Sequence, residues 1–249
     1  MSGHSKWATI KHKKGIADAK RGQKFTKLIK EISVAAKMGG SDPETNARLR
    51  TAVLKARAEN MPKDNIDRAI KKGAGELDNS IYYELTYEGY APGGVALIID
   101  TLTDNKNRTA SDVRSTLTKN GGTLGASGCV SYMFQTKGII TYDASKYSEE
   151  QIFEVALENG ADDVTTSDDV IEVTTTPSDF ANVLESMQAA GFEQESAEVE
   201  KVADQTVALD SEKARKVLKI IDKLEELDDV QQVSSNLELP DDFEDGDEE

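Results

Sequence analysis

Cysteine occurs once in this chain, at Cys129, and histidine twice, at His4 and His12. A single cysteine excludes an internal disulfide and any zinc site built on several thiolates. With no histidine after residue 12, a Ser-His or Cys-His couple is excluded from the rest of the chain. Two imidazoles eight residues apart, with no thiolate nearby, make a poor metal pair, so neither metal nor cofactor is expected. No stretch approaches the roughly 20 apolar residues that span a membrane as a helix. The first residues also lack the apolar core of a secretory signal. The expected compartment is therefore a reducing cytoplasm. Glycine is present but not in a nucleotide-binding pattern. "GGTLGASG" and "APGG" match neither the P-loop nor the dinucleotide spacing and read as turns. No spacing among the carboxylates selects a pair for acid–base work, and no small-molecule substrate is expected.

What the chain does have is charge, unevenly placed. Over 249 residues, 30 Lys and Arg face 46 Asp and Glu, for a net charge of −16. Residues 1–80 hold 18 basic and 9 acidic side chains, and residues 81–249 hold 12 and 37, giving +9 and −25. A basic segment on an acidic protein points to nucleic acid or another anionic surface. The plain alternative is a solvated, lysine-rich helical surface without a partner.

The pattern along the chain predicts an α+β protein with several domains. Residues 1–20 lack periodicity and read as a basic flexible arm. Residues 21–78 read as a three-helix domain. Phe25, Leu28, Ile29, Ile32, Ala35 and Ala36 fall at helical spacing, and Gly39-Gly40 ends that helix. In "SDPET", Asp42 is expected to cap a second helix with Pro43 in its first turn and Leu49, Ala52, Val53 and Ala56 as its buried stripe. A third begins near Met61-Pro62 and buries Ile66, Ala69 and Ile70. Beyond a linker the period changes to two. Residues 79–136 together with 204–239 read as one α+β domain, with "GCVSYMF" as one of its strands. Residues 137–203 run strand–helix–strand–strand–helix–strand, the ferredoxin-like order, and read as an insertion into it. Residues 240–249, "PDDFEDGDEE", read as an acidic disordered tail. The fold class is thus a helical module plus two α+β, ferredoxin-like domains, one inserted in the other.

"GHSKWATIKHKK", "NMPKDNIDRAIKKG", "YEGYAPGG", "TDNKNRT" and "GGTLGASGCVSYMF", in this order, resemble the YebC family. That family includes bacterial YebC and PmpR and the mitochondrial translational activator of cytochrome oxidase. "LEELDDVQQV" near the C-terminus also fits. Two departures stand out. Ala47 in "NARLR" replaces a proline common in the family, and Lys106 in "TDNKNRT" replaces an arginine, which keeps the charge but loses the guanidinium fork. The resemblance implies three domains, one helical and two α+β, and a role in gene expression. It allows two accounts: a DNA-binding transcriptional regulator, or a ribosome-associated factor relieving stalls at proline-rich stretches.

Candidate nucleic-acid contacts follow from both readings. The arm supplies Lys6, Trp7, Lys11, His12, Lys13, Lys14, Lys20 and Arg21. Its cations match phosphates, and an exposed indole stacks on a base. The helical module adds Lys24, Arg48, Arg50 and Lys55. "TDNKNRTASDVR" adds Lys106, Arg108 and Arg114 at the mouth of a helix capped by Asp104 or Asn107, where a guanidinium grips phosphate bidentately. Arg108 is expected to be a surface residue whose loss costs at most about 0.5 kcal/mol of stability. Cys129, beside Val130, is expected to be a buried small residue and not a nucleophile. The expected function is a non-enzymatic, nucleic-acid-binding regulator, with DNA or ribosomal RNA as partner. A Mg-dependent nuclease or hydrolase is the alternative of another class.

Overall fold

The computed structural model describes residues 18–75, 81–167, 169–240 and 243. Among these, seven α-helices and ten strands form an α+β protein. Packing divides the described residues into two compact units. One is drawn from 82–136 and from 200 onward, the other from 18–75 and 137–199.

The second unit opens with the helical module: α1 (Asp18–Gly39), α2 (Ala47–Ala58) and α3 (Lys63–Ala74). Its core is the expected apolar stripe of each helix, with Ile32, Leu49, Val53, Ile66 and Ala69 buried together. Helix α1 starts at Asp18, so Lys20 lies in its first turn and not ahead of it. Ala19 and Lys20 are good helix formers, and nothing in their sequence stops the helix later. Helix α2 starts four residues after the expected proline. Asp42 instead closes a local turn by accepting the Glu44 N–H at 3.0 Å. The cap is Asn46, a buried side chain whose amide donates to the carbonyls of Ala35 and Gly40, both at 2.8 Å, and accepts the Leu49 N–H at 3.1 Å. One residue thus ties the end of α1 to the start of α2. Glycine is required at Gly73, where a Cβ would run into the Ser33 carbonyl oxygen of α1. Ser33 Oγ also donates to the Ala69 carbonyl at 3.0 Å, so α1 and α3 cross in direct contact.

Residues 137–199 supply the rest of this unit. The sheet of β4 (Phe134–Asp143), β5 (Ala161–Ser167), β6 (Val170–Thr175) and β7 (Ser196–Ala203) has the order β5-β6-β4-β7, the ferredoxin-like arrangement. Helices α5 (Glu149–Glu158) and α6 (Phe180–Ala189) cover one face and bury Ile140, Tyr142, Ile152, Ile171, Phe180 and Leu184. Leu54 of α2 joins this core while its helix neighbours Val53 and Ala56 face the helical module. Helix α2 therefore has two buried sides.

The first unit is built on the hairpin of β1 (Tyr83–Ala91) and β2 (Val95–Thr103), paired from Tyr83↔Thr103 to Ala91↔Val95. Its tight turn places Gly93 at φ 83° and Gly94 at φ 77°, the left-handed region that glycine tolerates. Strands β3 (Thr123–Leu124) and β9 (Val230–Ser235) flank the hairpin in the order β3-β1-β2-β9. Helices α4 (Lys106–Lys119) and α7 (Ser211–Glu225) pack on one face, burying Val113, Leu117, Val217 and Ile221 with Leu97 and Ile99. The chain leaves this unit after residue 136 and returns at 200, so the ferredoxin-like domain is inserted in it.

Two expectations fail here for identifiable reasons. "GCVSYMF" is not a strand before Phe134 but a turn followed by a 3-10 helix at Ser131–Met133. The buried Glu88 carboxylate takes the N–H groups of Gly128, Val130 and Ser131 at 2.7, 2.8 and 2.9 Å, so they are not available to a ladder. The stretch "DVQQVSSNLEL", which reads as one strand, is broken at Asn236. Its buried side chain accepts the Ala96 N–H at 2.8 Å, and the following pair of residues joins β10 (Leu237–Glu238) to β8 (Val207–Ala208) in a separate parallel ribbon. Phe243, within the stretch read as an acidic tail, is buried in this core with the Arg215 guanidinium over its ring at 5.5 Å, while residues 241, 242 and 244–249 lie outside the described residues.

Candidate nucleic-acid interface

The arm residues Lys6, Trp7, Lys11, His12, Lys13 and Lys14 lie outside the described residues. Lys20 and Arg21 lie in the first turn of α1. The remaining expected contacts divide into cations committed to a partner and cations that are not.

Several are committed. Lys24 pairs with Glu59. Arg48 makes a two-pronged bond to Glu31, with Nε to Oε1 at 2.8 Å and Nη2 to Oε2 at 3.1 Å, which fixes α2 against α1. Arg50 reaches the Glu44 carbonyl at 3.4 Å. Lys106 sits over the Tyr83 ring at 3.9 Å, a cation–π contact. Arg108 is at the surface, as expected, and is also paired. Its Nε and Nη2 donate to Oδ2 of Asp229 at 3.1 and 2.7 Å, and Nη2 also reaches Asp104 at 2.9 Å. Hydrogen bonds to Asp229 first, then to Asp104, raise the Arg108 pKa above its ordinary value. Asp229 is buried and also accepts the Thr109 hydroxyl at 2.9 Å, so the Arg108 side chain, itself 48% exposed, is engaged in neutralising a buried carboxylate. The cap of α4 is neither Asp104 nor Asn107 but Asn105, which accepts the Arg108 N–H at 3.1 Å.

Others remain open to solvent. Arg114 lies with Asn107, Ser111, Ser115, Thr118 and Lys119 along a shallow depression of about 510 Å³ on the outer face of α4. On α3, Arg68, Lys71 and Lys72 are exposed at i, i+3 and i+4, opposite buried Ile66, Ala69 and Gly73. Neither these three nor Arg114 and Lys119 makes an ion pair with a described residue. Lys55 is half-buried on α2 and likewise has no such ion pair. The α3 triad and Lys119 were not among the sequence candidates. The signal that finds the triad is the strict one-sidedness of "NIDRAIKKG", whose apolar residues leave all the cations outside.

Among the described residues no group of three or more His, Cys, Asp or Glu is placed to hold a metal ion. Burial, then the nearby Glu88 carboxylate, push the Cys129 thiol up, which keeps it protonated and a poor nucleophile at neutral pH. Cys129 sits partly buried on the turn held by Glu88, against Ala96 and Ile98. No helix among the described residues is long and apolar enough to cross a membrane.

Residues 5–76 match the family described as the TACO1/YebC protein N-terminal domain, and residues 82–237 match the TACO1/YebC second and third domain. The chain belongs to the TACO1/YebC family. It is 68% identical over 244 residues to a protein of Treponema denticola, covering 98% of this chain and 99% of that one. It is 63% identical over 240 residues to a protein of Treponema pallidum strain Nichols, covering 96% and 98%. Both are named probable transcriptional regulatory proteins. Among solved structures, a conserved hypothetical protein from Aquifex aeolicus matches with a TM-score of 0.80 and 51% identity, covering 90% of this chain and 93% of that one.

Proposed function

We propose that this TACO1/YebC-family protein is a nucleic-acid-binding regulator of gene expression that acts on DNA as a transcriptional regulator, without catalytic turnover. The observation that carries the reading is a group of exposed cations with no ion pair to a described residue, among them Arg68, Lys71 and Lys72 on α3 and Arg114 and Lys119 on α4. Cations already matched to carboxylates add little attraction for phosphate, whereas unmatched ones release counterions when they bind it. The basic arm at residues 6–14 adds to the same charge. The names of the Treponema relatives support transcription as the process.

The second reading, a ribosome-associated factor relieving stalls at proline-rich stretches, is favoured by one feature. The unmatched cations are spread over the helical module and the β1–β2 unit and are not gathered on a single recognition helix. Such a spread suits a broad phosphate surface as well as a groove. Crosslinking in cells, followed by sequencing of bound DNA and bound RNA, separates the two. Discrete promoter DNA is the expected result. Dominant ribosomal RNA transfers the protein to translation.

A further inference from the structure

We propose that the outer face of α5 is a docking surface for a basic protein segment that carries an apolar anchor. Two observations meet there. Phe153 and Leu157 are 44% and 38% exposed, although residues of this size and polarity are ordinarily interior. They lie at i and i+4, so their side chains are neighbours on one helix face. The same helix buries Ile152 and Ala156 in the domain core, so the exposed pair is additional to the packing stripe and is not a misplaced part of it.

The surroundings specify the occupant. Residues 137–203 hold 16 acidic and 3 basic side chains. Glu149, Glu150, Glu154 and Glu158 are exposed on α5 itself, and Asp162 and Asp163 are exposed on β5, which follows directly. Of the 3 cations, Lys146 already pairs with Asp143 and Glu195, and Lys201 with Asp100. An apolar pair with an acidic rim repels nucleic acid and anionic lipid. It also repels the same face of a second copy of this chain, which would present the same carboxylates. It attracts lysine and arginine, while the ring and the isobutyl group reward an aliphatic or aromatic side chain. The helix that carries the surface is capped at its start. The Ser148–Gln151 capping box closes the helix start, with Ser148 N–H to Gln151 Oε1 at 3.1 Å and Gln151 N–H to Ser148 Oγ at 3.3 Å. Little ordering is then lost when a partner binds. This surface goes beyond the nucleic-acid reading and does not depend on it.

The test uses the full chain and two short fluorescent peptides rich in Lys and Arg, one with a pair of leucines and one with both replaced by serine. Binding is followed by anisotropy at about 100 mM salt, where long-range attraction is damped but contacts survive. The leucine peptide should bind the unaltered protein about tenfold more tightly than the serine peptide. Phe153→Ser with Leu157→Ser should abolish that preference and leave duplex DNA binding unchanged. Glu150→Lys with Glu154→Lys should weaken both peptides by about tenfold. Equal binding of the two peptides by the unaltered protein overturns the proposal, as does survival of the preference in the double-serine variant. A dimer in sedimentation that the double-serine variant dissolves assigns the face to a second copy and also overturns it.

Discussion

Residues 18–75 carry 14 basic and 7 acidic side chains, and residues 137–203 carry 3 and 16. Inside, these two regions follow the same rules. Each encloses its own apolar cluster, one around Ile32, Leu49 and Ile66, the other around Ile140, Phe180 and Leu184. Leu54 even lends a helical-module side chain to the second core. Outside, they are opposites. Internal packing accounts for the fold of both and is silent about the difference between them. The difference lies in exposed residues that contribute little to stability, and there the functional argument has to be made.

The comparison predicts that surface changes move binding and interior changes move stability. Reversing Arg68, Lys71 and Lys72 together to Glu should have the largest effect, lowering duplex DNA affinity by on the order of a thousandfold at low salt. Thermal unfolding should stay within a few degrees, because these side chains have no ion pair with a described residue to lose. A large drop in melting temperature would place them in the fold instead. Next, Gly73→Ala should cost about 3 kcal/mol, since the added methyl meets the Ser33 backbone, which cannot move without separating α1 from α3. Denaturant titration reads it directly, and a neutral result would show that the crossing is looser than described.

Arg108→Ala sharpens the comparison, because the residue reads as an interface cation in the sequence and is paired with a buried carboxylate in the fold. With its guanidinium removed, Asp229 keeps the Thr109 hydroxyl but loses its counter-charge in a buried setting. The melting temperature should fall by about 5 °C, while duplex binding per folded molecule should change by less than about twofold. Lost binding with an unmoved melting temperature restores Arg108 to the interface. The smallest effect concerns Glu88. Burial alone would raise its carboxyl, but the N–H groups of Val130, Gly128 and Ser131 outweigh it and hold the value below the ordinary 4.5. A carboxyl lower in the folded state stabilises fully above its unfolded value and loses that contribution as pH falls from about 4.5 through the folded value. The stability gap between the unaltered protein and Glu88→Gln should therefore shrink as pH drops below about 4.5. A gap that stays constant or widens would remove the charged carboxylate from the account.

The cores were legible in the sequence because apolar spacing is local. Phe25, Leu28, Ile29 and Ile32 declare a helix within eight residues, and the order of strands and helices from 137 to 203 declares the ferredoxin-like sheet. The polar anchors were not legible, because each depends on a partner elsewhere in the chain. Glu88 reads as one more strand-surface carboxylate until the turn 40 residues later folds over it. Arg108 reads as a free cation until Asp229, 121 residues away, arrives beside it. Asn46 reads as a residue inside the second helix and Asn236 as part of a strand, yet one caps a helix while pinning another, and the other ends a strand. The same blindness explains the candidate site. Sequence counts cations, but which of them are matched by carboxylates is a property of the folded chain, and that selection shifts weight from Arg48 and Arg108 to Arg68, Lys71, Lys72 and Arg114.

The central claim is that binding is electrostatic and resides in the unmatched cations. It is tested most directly by the salt dependence of duplex binding for the full chain and for the variant Arg68→Ala, Lys71→Ala, Lys72→Ala. With about 6 phosphate contacts, affinity of the unaltered protein should fall by on the order of a thousandfold between about 50 and 200 mM salt. The plot of log affinity against log salt should be shallower for the variant by about 2.7, or roughly 0.9 for each cation removed. An affinity that does not change across that range, or a variant with the slope of the unaltered protein, would contradict the account.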